Sequence, residues 1–579
     1  MRRVLTTLAL AAFVVAIHDS MRAASAAADN EWPVHLVDRA AAAGLTSPSI
    51  YGGVDRKRFI IETNGAGVAL IDADDDGWLD ALVLNGTRLR DDGRTEMTWP
   101  AGEAPTTRLY RNRRDGTFED VTRGSGLDHK VGWASGVCAG DYDNDGRLDL
   151  FVTYFGQNVL YRNLGGGRFE DQTAARGLGG RAARWGSGCT FIDYDADGRL
   201  DLFVANYLTF SLETAPAPGQ GPHCAWKGVS VNCGPKGLPT DTNLLYRNTG
   251  ASFADVSEAS GISRVTGRYS MSAVAADLDG DDDVDIYVAA DSTAAILYRN
   301  DGDGTFTDVA LETGAAYNAL GAPQAGMGLG VADVNADGRL DLVKTHFADD
   351  IPALYRALGR GLFEDVALSA GLAVENRFVQ WGVGFPDLDN DGWPDLLYVT
   401  GNVYPEVESR LPQYPHRSPR VAFRNRGQGR FEQMSARSGP GVMDAHSSRG
   451  AAFGDVDNDG DVDVLVMNMN ETPSLLINTA RVTHAWIGVR LKGSAANRRG
   501  LGSTIRVTAG GRTQSRAVLS QSSYYSHDEL AVRVGLGAAT QADRVEVRWP
   551  GGDITTAEAL PANRIHEIAQ SRSGARKRR

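Results

Sequence analysis

A nine-residue pattern of acidic residues occurs seven times in this chain and limits its fold more than any other feature. In the copy from 455 to 463, carboxylates stand at positions 1, 3, 5 and 9, and a glycine stands at position 6. Calcium takes roughly six to eight oxygen ligands, and a loop curled around it offers oxygens from alternate residues. Glycine allows the sharp turn because it adopts positive φ without steric cost. The pattern therefore predicts calcium-binding loops.

The seven copies share one register, which favours metal binding over a set of unrelated acidic surface turns. Position 1 is Asp72, Asp141, Asp193, Asp277, Asp333, Asp387 and Asp455. Position 3 is Asp74, Asp143, Asp195, Asp279, Asn335, Asp389 and Asp457. Position 5 is Asp76, Asp145, Asp197, Asp281, Asp337, Asp391 and Asp459. Position 9 is Asp80, Asp149, Asp201, Asp285, Asp341, Asp395 and Asp463. We expect these 28 side chains to hold about seven calcium ions.

The EF-hand is the first rival structure for such a loop, and the sequence argues against it. An EF-hand needs a bidentate glutamate at position 12 and a helix on each side. Position 12 here is Val83, Val152, Val204, Val288, Lys344, Tyr398 and Val466. The flanking runs, such as 148–152 and 462–466, alternate and are rich in β-branched and aromatic residues. Such runs are typical of strands. The loops therefore join two strands.

Each loop belongs to a longer repeat that contains two more strand patterns. The first is Leu-Tyr-Arg-Asn, as at 109–112, and the second is Phe-x-Asp-Val, as at 306–309. With the strands before and after the loop, the unit has four strands, and the closest loop starts, Asp141 and Asp193, are 52 residues apart. Seven four-stranded units predict an all-β, seven-bladed β-propeller. A linear β-solenoid is the alternative, but its units are shorter.

Two details of the repeat predict how the ring is arranged. Longer gaps at 86–105, 209–240 and 403–419 all follow the second strand, so these inserts should emerge on one face. The seventh unit lacks its Phe-x-Asp-Val pattern, and a spare copy stands at 34–38. We therefore expect the N-terminal segment to pair beside 474–478 and close the ring.

The loops and strands together resemble the FG-GAP repeats, also called VCBS repeats, of integrin-α-type propellers. The resemblance covers about residues 34–479. It implies a seven-bladed propeller with calcium in one loop of each blade. Two residues depart from the pattern: Asn335 replaces an aspartate, and Asp282 stands in place of the loop glycine. Both are compatible with the loop, since asparagine offers an oxygen and aspartate tolerates left-handed backbone.

The loops stop near Arg481, and three alternating strand patterns follow at 486–492, 503–508 and 544–549. The segments 497–503, 521–526 and 534–537, with the 545–551 stretch, are similar to the ASPIC/UnbV domain. That domain follows such propellers in proteins resembling the cartilage acidic protein family. We expect a small β-sandwich-like domain at 481–569 and a disordered basic tail at 570–579.

The first 28 residues have the plan of a secretory signal peptide. Arg2 and Arg3 precede an apolar run at 4–17, and small residues follow at 23–28. The plan predicts export, with no transmembrane segment in the mature chain; an uncleaved anchor is the alternative. The net charge of −14 argues against a nucleic-acid partner. Seven calcium ions would cancel that charge.

The four cysteines form two groups. Cys224 and Cys233 lie close together in a Pro/Gly-rich insert, and in an oxidising compartment a disulfide between them is favoured over a zinc site with His223. Cys138 and Cys189 stand in apolar strands before two loops. We interpret them as buried small residues, with a disulfide between them as the less favoured alternative.

The sequence contains no catalytic motif that we could identify. Residues before the loop strands could line the central face of a propeller as a ligand patch, although core packing is the simpler interpretation: Trp133, Trp185, Trp381, His446 and Arg449. The favoured function is a non-enzymatic binding or adhesion module for an extracellular protein or glycan. The alternative is a calcium-dependent carbohydrate-active enzyme, a polysaccharide lyase or hydrolase, with its site on the insert face.

Overall fold

The computed structural model describes residues 32–100, 103–180, 182–480, 484–494 and 496–571. The predicted signal peptide and all but two residues of the predicted basic tail lie outside these ranges. Within them, strands are the main regular secondary structure, and the helices are few and short. Among the described residues, no helix combines the length and the hydropathy needed to cross a membrane.

Four-stranded antiparallel sheets make up residues 36–478, and we number them in chain order of their loops. Sheet 1 is Val68–Ile71, Asp80–Val83, Arg108–Asn112 and Phe118–Asp120. Sheet 2 is Ala134–Gly140, Asp149–Gly156, Val159–Gly165 and Arg168–Asp171. Sheet 3 is Arg184–Ile192, Asp201–Asn206, Leu244–Asn248 and Phe253–Asp255. Sheet 4 is Ser270–Ala276, Asp285–Ala290, Ile296–Asn300 and Phe306–Asp308.

The remaining sheets repeat the same order. Sheet 5 is Leu329–Ala332, Asp341–Lys344, Ala353–Gly359 and Leu362–Asp365. Sheet 6 is Gln380–Gly384, Leu396–Thr400, Val421–Asn425 and Phe431–Gln433. Sheet 7 is Ser448–Gly454, Asp463–Asn468, Ser474–Asn478 and, from the other end of the chain, Leu36–Asp38. Sheets 2 and 3 are also joined directly, because Arg184 and Trp185 pair with Gly156 and Phe155.

The position of the N-terminal strand confirms the predicted pairing of the chain ends. Leu36 is opposite Asn478, Val37 is opposite Ile477, and Asp38 is opposite Leu476. The first strands of the sheets contact one another in cyclic order, and the first strand of sheet 7 contacts that of sheet 1. The sheets therefore form a closed ring with their first strands at the centre.

Burial explains why each strand has its residue pattern. First strands such as Ser270–Ala276 and Ser448–Gly454 are buried along their whole length and are rich in alanine, serine and glycine. The fourth strands bury the phenylalanine of their pattern and expose the residues beside it, as in Phe253–Asp255. Because their side chains are small, the first strands can pack closely at the centre. The fourth strands, with one face buried and one exposed, form the outer edges.

Short helices occupy the connections between sheets. The α-helical turns are Ala40–Ala43, Ala310–Thr313, Ala367–Ala370 and Pro440–Met443, and the 3₁₀ turns are Ile60–Glu62, Ile262–Arg264, Pro405–Val407 and Ser435–Arg437. The three inserts lie together, as predicted. Arg94 donates from Nη1 to the carbonyl of Glu213 at 3.0 Å, and the rings of Trp226 and Tyr414 are 4.9 Å apart.

Two further sheets form the C-terminal part. One has the order Val532–Gly537, Ala485–Lys492 and Ile565–Ala569, the last pair being parallel. The other has the order Arg512–Ala517, Thr504–Ala509, Gln541–Arg548 and Ile554–Pro561. Both contribute to one hydrophobic core, which includes Val489, Val507, Val534 and Val545. This arrangement agrees with the expected small sandwich.

A segment of the C-terminal part, residues 519–529, enters the centre of the ring. Gln521 accepts from the amide of Cys189 at 3.2 Å and donates to the carbonyl of Val137 at 3.1 Å. Ser523 exchanges backbone hydrogen bonds with Leu329 at 2.7 and 2.8 Å. A Cβ on Gly67 would lie 1.8 Å from the carbonyl oxygen of Tyr525, so only glycine fits there. The segment thus joins the two parts of the chain through buried contacts.

All four cysteines are paired. Cys224 is bonded to Cys233, as predicted. Cys138 is bonded to Cys189, so the prediction that these two are merely small core residues was wrong. They lie on the first strands of sheets 2 and 3, which neighbour each other in the ring. Their distance in sequence, 51 residues, is one repeat, which is why the fold brings them together.

Candidate metal centres in the sheet loops

Two left-handed residues shape each loop between the first and second strands. In sheet 1, Asp75 at position 4 has φ of 59° and Gly77 at position 6 has φ of 89°. The other loops repeat this pair of positive φ angles, with asparagine, alanine or glycine at position 4. In sheet 4, Asp282 adopts φ of 75° at position 6, in agreement with the expectation that aspartate can replace the loop glycine.

The position 1 carboxylate organises the turn from inside. It accepts the backbone N–H of position 6 in every loop, at distances from 2.8 Å for Asp455 to 3.2 Å for Asp277. In sheets 1, 5 and 7, the N–H of position 5 also donates to it, at 2.9 Å for Asp72, 3.0 Å for Asp333 and 3.1 Å for Asp455. The loop therefore curls around this side chain, which faces the interior of the turn.

The position 9 carboxylate ties the loop to the sheet. Asp80 accepts the N–H of Ala73 at 3.1 Å through Oδ2 and the N–H of Asn112 at 2.8 Å through Oδ1. The same two bonds, to the N–H of position 2 and to the N–H of a third-strand residue, occur in all seven loops. Position 9 thus has a structural role that its use as a metal ligand does not exclude.

Some carboxylate oxygens inside the loops have no hydrogen-bond donor among the described residues. Oδ1 of Asp141, Asp193 and Asp387 is buried and unpartnered in each case. Carboxylates converge beside each of them: in sheet 2, ligand atoms of Asp141, Asp143 and Asp149 all lie within 4.8 Å of one another. Equivalent groups occur in sheets 1, 3, 4 and 6. Buried anionic oxygens without a partner are costly unless a cation sits against them, so the donor set fits a hard cation.

Burial raises the pKa of the position 9 carboxylates, and neighbouring carboxylates raise it further. The pKa of Asp149 rises to about 8 and that of Asp201 to about 9. The pKa of Asp80 rises to about 7. Loss of hydration is the main cause in each case, and backbone N–H donors oppose it. Without a cation such groups hold protons near neutral pH, and a bound cation would displace them.

The arginine of the Leu-Tyr-Arg-Asn pattern faces the loop carboxylates in several sheets. Arg162 lies 2.6 Å from Asp143 and 3.1 Å from Asp145. In sheet 6, Arg424 lies 3.1 Å from Asp389 at a buried position. These arginines balance part of the negative charge at positions 3 and 5. Sequence reasoning did not assign them this role, although their repetition at the third position of the Leu-Tyr-Arg-Asn pattern was a visible signal.

The asparagine of the same pattern links neighbouring sheets. Asn163 of sheet 2 donates to the carbonyl of Ala73 in loop 1 at 3.0 Å and to that of Leu148 in its own loop at 3.1 Å. Asn112 of sheet 1 donates to the carbonyl of Val456 in loop 7 at 2.8 Å, so the series continues across the junction of the ring. The corresponding residue of sheet 5 is Ala357, which has no amide to donate.

The C-terminal part lies against the loops. The amide of Gly535 donates to Asp387 at 3.1 Å, and the amide of Ser515 donates to Asp333 at 3.3 Å. Arg533 lies 2.9 Å from Asp455, and both side chains are buried. A guanidinium therefore supplies part of the positive charge beside loop 7.

The five residues of the predicted ligand patch occupy different environments. Trp133, Trp185 and Arg449 are buried in the core, and Trp381 is buried with its indole N–H on the carbonyl of Gly401 at 2.8 Å. The guanidinium of Arg449 lies 4.1 Å from the ring centroid of Trp381, so the fold brings these two together. His446 is half-buried and lies 2.6 Å from Glu471.

Buried cations near the insert face are held by backbone groups. Lys57 donates to the carbonyls of Tyr51 and Gly53 at 2.7 and 2.6 Å, and burial lowers its pKa to about 7. Arg449 donates to the carbonyls of Thr63 and Ser448 at 2.9 and 2.8 Å. Both groups serve the packing of the chain and are not presented to an open groove.

Comparison with known protein families agrees with the two-part architecture. A model described as FG-GAP-like repeat matches residues 89–152, 141–204, 278–343 and 387–466. A model described as ASPIC and UnbV matches residues 493–575. The chain therefore contains FG-GAP-like repeats and, after them, a C-terminal ASPIC and UnbV domain. The matched ranges begin and end close to the loops and sandwich described above.

The chain is also similar to cartilage acidic protein 1 of two vertebrates. It is 25% identical to the Xenopus tropicalis protein over 521 residues, which is 85% of this chain and 71% of that protein. It is 24% identical to the Homo sapiens protein over 516 residues, 85% of this chain and 69% of that protein. The similarity therefore spans both the sheets and the C-terminal domain.

Among solved structures, the chain aligns with an Agrocybe aegerita lectin that recognises non-reducing terminal N-acetylglucosamine. The identity is 16%, the alignment covers 65% of this chain and 82% of the lectin, and the TM-score is 0.37. It also aligns with BBS1N from a complex with ARL6DN, at 11% identity over 75% of this chain and 100% of that one, with a TM-score of 0.38. Neither similarity bears on the function of this chain.

Proposed function

We propose that this chain is an exported, calcium-stabilised, seven-bladed β-propeller that acts as a non-enzymatic binding or adhesion module for an extracellular protein or glycan. Each sheet is one blade of the propeller, and residues 34–479 form the whole ring. The ASPIC and UnbV domain covers residues 481–569. Calcium holds the loops, and the insert face is free to meet a ligand. Two disulfides agree with an oxidising compartment outside the cytoplasm.

The observation that carries the calcium assignment is the set of buried, unpartnered oxygens on Asp141, Asp193 and Asp387. Each loop would hold one ion through its side chains at positions 1, 3, 5 and 9. The carbonyls of position 7 would complete the shell, and these belong to Trp78, Arg147, Arg199, Asp283, Arg339, Trp393 and Asp461. The ion would neutralise the clustered carboxylates and stabilise the folded state by mass action.

The binding role rests on the insert face. Three inserts meet there, and loops on a rigid scaffold are where binding residues concentrate in proteins. The carbohydrate-active alternative would need a convergent base in an open groove. The buried, backbone-bound state of Lys57 and Arg449 favours binding over chemistry.

Thermal unfolding with and without calcium tests the proposal. Calcium-stripped protein should melt at a clearly lower temperature than protein in millimolar calcium, and added calcium should restore the original melting temperature. Magnesium at the same concentration serves as the matched control, because it demands stricter octahedral geometry and should restore less. Identical melting curves with and without calcium would reject the calcium assignment.

A further inference from the structure

A cavity of about 290 Å³ lies beneath the insert that contains the Cys224–Cys233 disulfide. It is lined by aromatic rings, two methionines and a few polar groups. Its volume is near the lower end of the roughly 300–1,000 Å³ found for small-molecule pockets. The cavity is distinct from the loops, since none of the 28 loop side chains lines it.

A short hairpin covers the cavity and is anchored at both ends. Ala225–Trp226 pairs with Val229–Ser230, and the turn residues Lys227 and Gly228 have positive φ angles of 46° and 82°. At the tip, Lys227 lies 2.6 Å from Asp349. At the base, the disulfide joins the two arms. The hairpin is therefore held in one position over the cavity.

The hairpin carries an aromatic ring into a group of others. The ring of Trp226 lies 5.7 Å from that of Phe347 and 6.1 Å from that of Tyr404, centroid to centroid. All three line the cavity, and Trp226 and Phe347 are only half-buried. Half-buried rings around an open space offer apolar faces to a ligand.

The polar groups of the cavity include both acceptors and donors. Asp291 accepts from the hydroxyl of Tyr207 at 2.6 Å and from that of Ser292 at 2.8 Å, and its oxygens keep lone pairs for a ligand. Nδ2 of Asn64 is buried and has no acceptor among the described residues. Lys236 contributes a positive charge that acts on Asp291.

The opposite end of the cavity rests on the inserted C-terminal segment. The ring of Tyr524 lies 5.0 Å from that of Trp381, and its hydroxyl donates to the carbonyl of Asn64 at 3.1 Å. Both partners line the cavity. The floor is therefore fixed by packing, and the site is preformed.

We propose that this cavity binds a neutral saccharide, with Trp226 and Phe347 against the apolar face of a sugar ring and Asp291 and Asn64 at its hydroxyls. Hydroxyl groups need an acceptor and a donor, and the cavity has both. Asp291 and Lys236 carry opposite charges that cancel in this pair, and this favours an uncharged ligand. A lone carboxylate among aromatic rings would instead suit an ammonium ion. This proposal deepens the binding role given above and rests on it.

Saturation-transfer NMR on the mature chain in millimolar calcium tests the proposal. The probes are glucose, galactose, mannose, xylose and N-acetylglucosamine, with glucuronate and tetramethylammonium as charged comparators. At least one neutral sugar should receive saturation at millimolar concentration, and the comparators should receive less. No saturation transfer to any of the five neutral sugars, or stronger saturation transfer to tetramethylammonium, would overturn the proposal.

Variants then locate the site by titration calorimetry with the best sugar. Trp226→Ala and Asp291→Asn should each weaken binding about tenfold or more. Trp486→Ala is the matched control, because it removes a half-buried tryptophan of the C-terminal part that does not line the cavity, and binding should stay within twofold. Binding unchanged in both cavity variants would place the sugar elsewhere and overturn the assignment. The calcium-dependent melting shift, measured on the same samples, separates the outcomes: if it persists while sugars fail to bind, the cavity proposal alone is rejected.

Discussion

Sheets 5 and 6 are neighbours in the ring, yet their loops and junctions differ. In sheet 6, Asp387, Asp389 and Asp395 are all buried, and Arg424 lies 3.1 Å from Asp389. In sheet 5, Asn335 replaces the position 3 aspartate, and its amide donates to Asp337 at 2.9 Å. In loop 5, the amide of Asn335 therefore satisfies a carboxylate by a hydrogen bond within the loop. In loop 6, the carboxylates depend on Arg424 and on the proposed cation instead.

The contacts that link each sheet to the loop of the preceding sheet also differ. Asn425 of sheet 6 donates to the carbonyl of Val334 in loop 5 at 2.9 Å and to that of Pro394 at 3.0 Å. Ala357 of sheet 5 cannot make the corresponding link to loop 4. Position 9 is nevertheless the same in both sheets, because its partners are backbone N–H groups, which every residue except proline supplies. The comparison separates three roles within one repeat: cation binding, anchoring of the loop, and linkage of neighbouring sheets.

The pH dependence of the calcium-free protein should show the largest effect, because it sums over all loops. The raised pKa values, about 7 for Asp341 and about 8 for Asp149, mean that the folded state binds more protons than the unfolded state above pH 4. The free energy of unfolding should therefore fall as pH rises from about 5 to 8.

Melting temperatures of calcium-stripped protein across that pH range measure the effect, and saturating calcium should flatten the slope. In Asn335→Asp, loop 5 gains the charge that loop 6 already has, and the slope without calcium should steepen. A melting temperature that rises with pH in the stripped protein would contradict the account of the loops.

Removal of the position 9 side chain should cost nearly the same in both sheets. Asp395→Ala and Asp341→Ala each leave two buried N–H groups without an acceptor, so each should lower the free energy of unfolding by roughly 2–5 kcal/mol. Denaturant unfolding in saturating calcium gives the values. The exposed Asp303→Ala, outside the loops, is the control and should have little effect. A large cost in only one sheet would show that position 9 does not have a common anchoring role.

The position 3 side chain should instead distinguish the sheets. Asp389→Ala removes a predicted ligand and leaves Arg424 without its nearer partner, so it should reduce the calcium-dependent gain in melting temperature. Asn335→Ala should reduce that gain less, because an amide oxygen is a weaker ligand than a carboxylate. Melting temperatures of both variants, measured with and without calcium, test this prediction. Equal reductions of the calcium-dependent gain in the two variants would contradict it.

Much of this architecture can be predicted from the sequence, because the same loop and strand patterns occur repeatedly along the chain. The positions of the loops, the strand order within each sheet and the pairing of the N-terminal strand beside 474–478 all follow from one register of seven copies. The entry of residues 519–529 into the ring could not be predicted, since those residues belong to no repeat and their partners lie hundreds of positions away. The Cys138–Cys189 bond escaped prediction because it requires the packing of adjacent first strands.

The linkage between sheets should give the smallest effect. Asn425→Ala loses three buried hydrogen bonds, two to carbonyls of Val334 and Pro394 and one from the N–H of Gly427, and should cost about 1–2 kcal/mol of the free energy of unfolding. Ala357→Asn supplies the missing amide to the junction of sheets 4 and 5 and should add up to about 1 kcal/mol. Gln433→Ala, on the exposed edge of sheet 6, is the matched control. A destabilising Ala357→Asn would mean that the site cannot accept the side chain and that the junction is built differently.

The central claim is that each loop holds one calcium ion, and the number of ions per chain tests it most directly. Purified mature protein can be dialysed to equilibrium against millimolar calcium, and atomic emission then measures the excess calcium on the protein side relative to the protein concentration. We predict about seven calcium ions per chain, one for each copy of the pattern in the sequence. A content of zero or one ion per chain under saturating conditions would contradict the account.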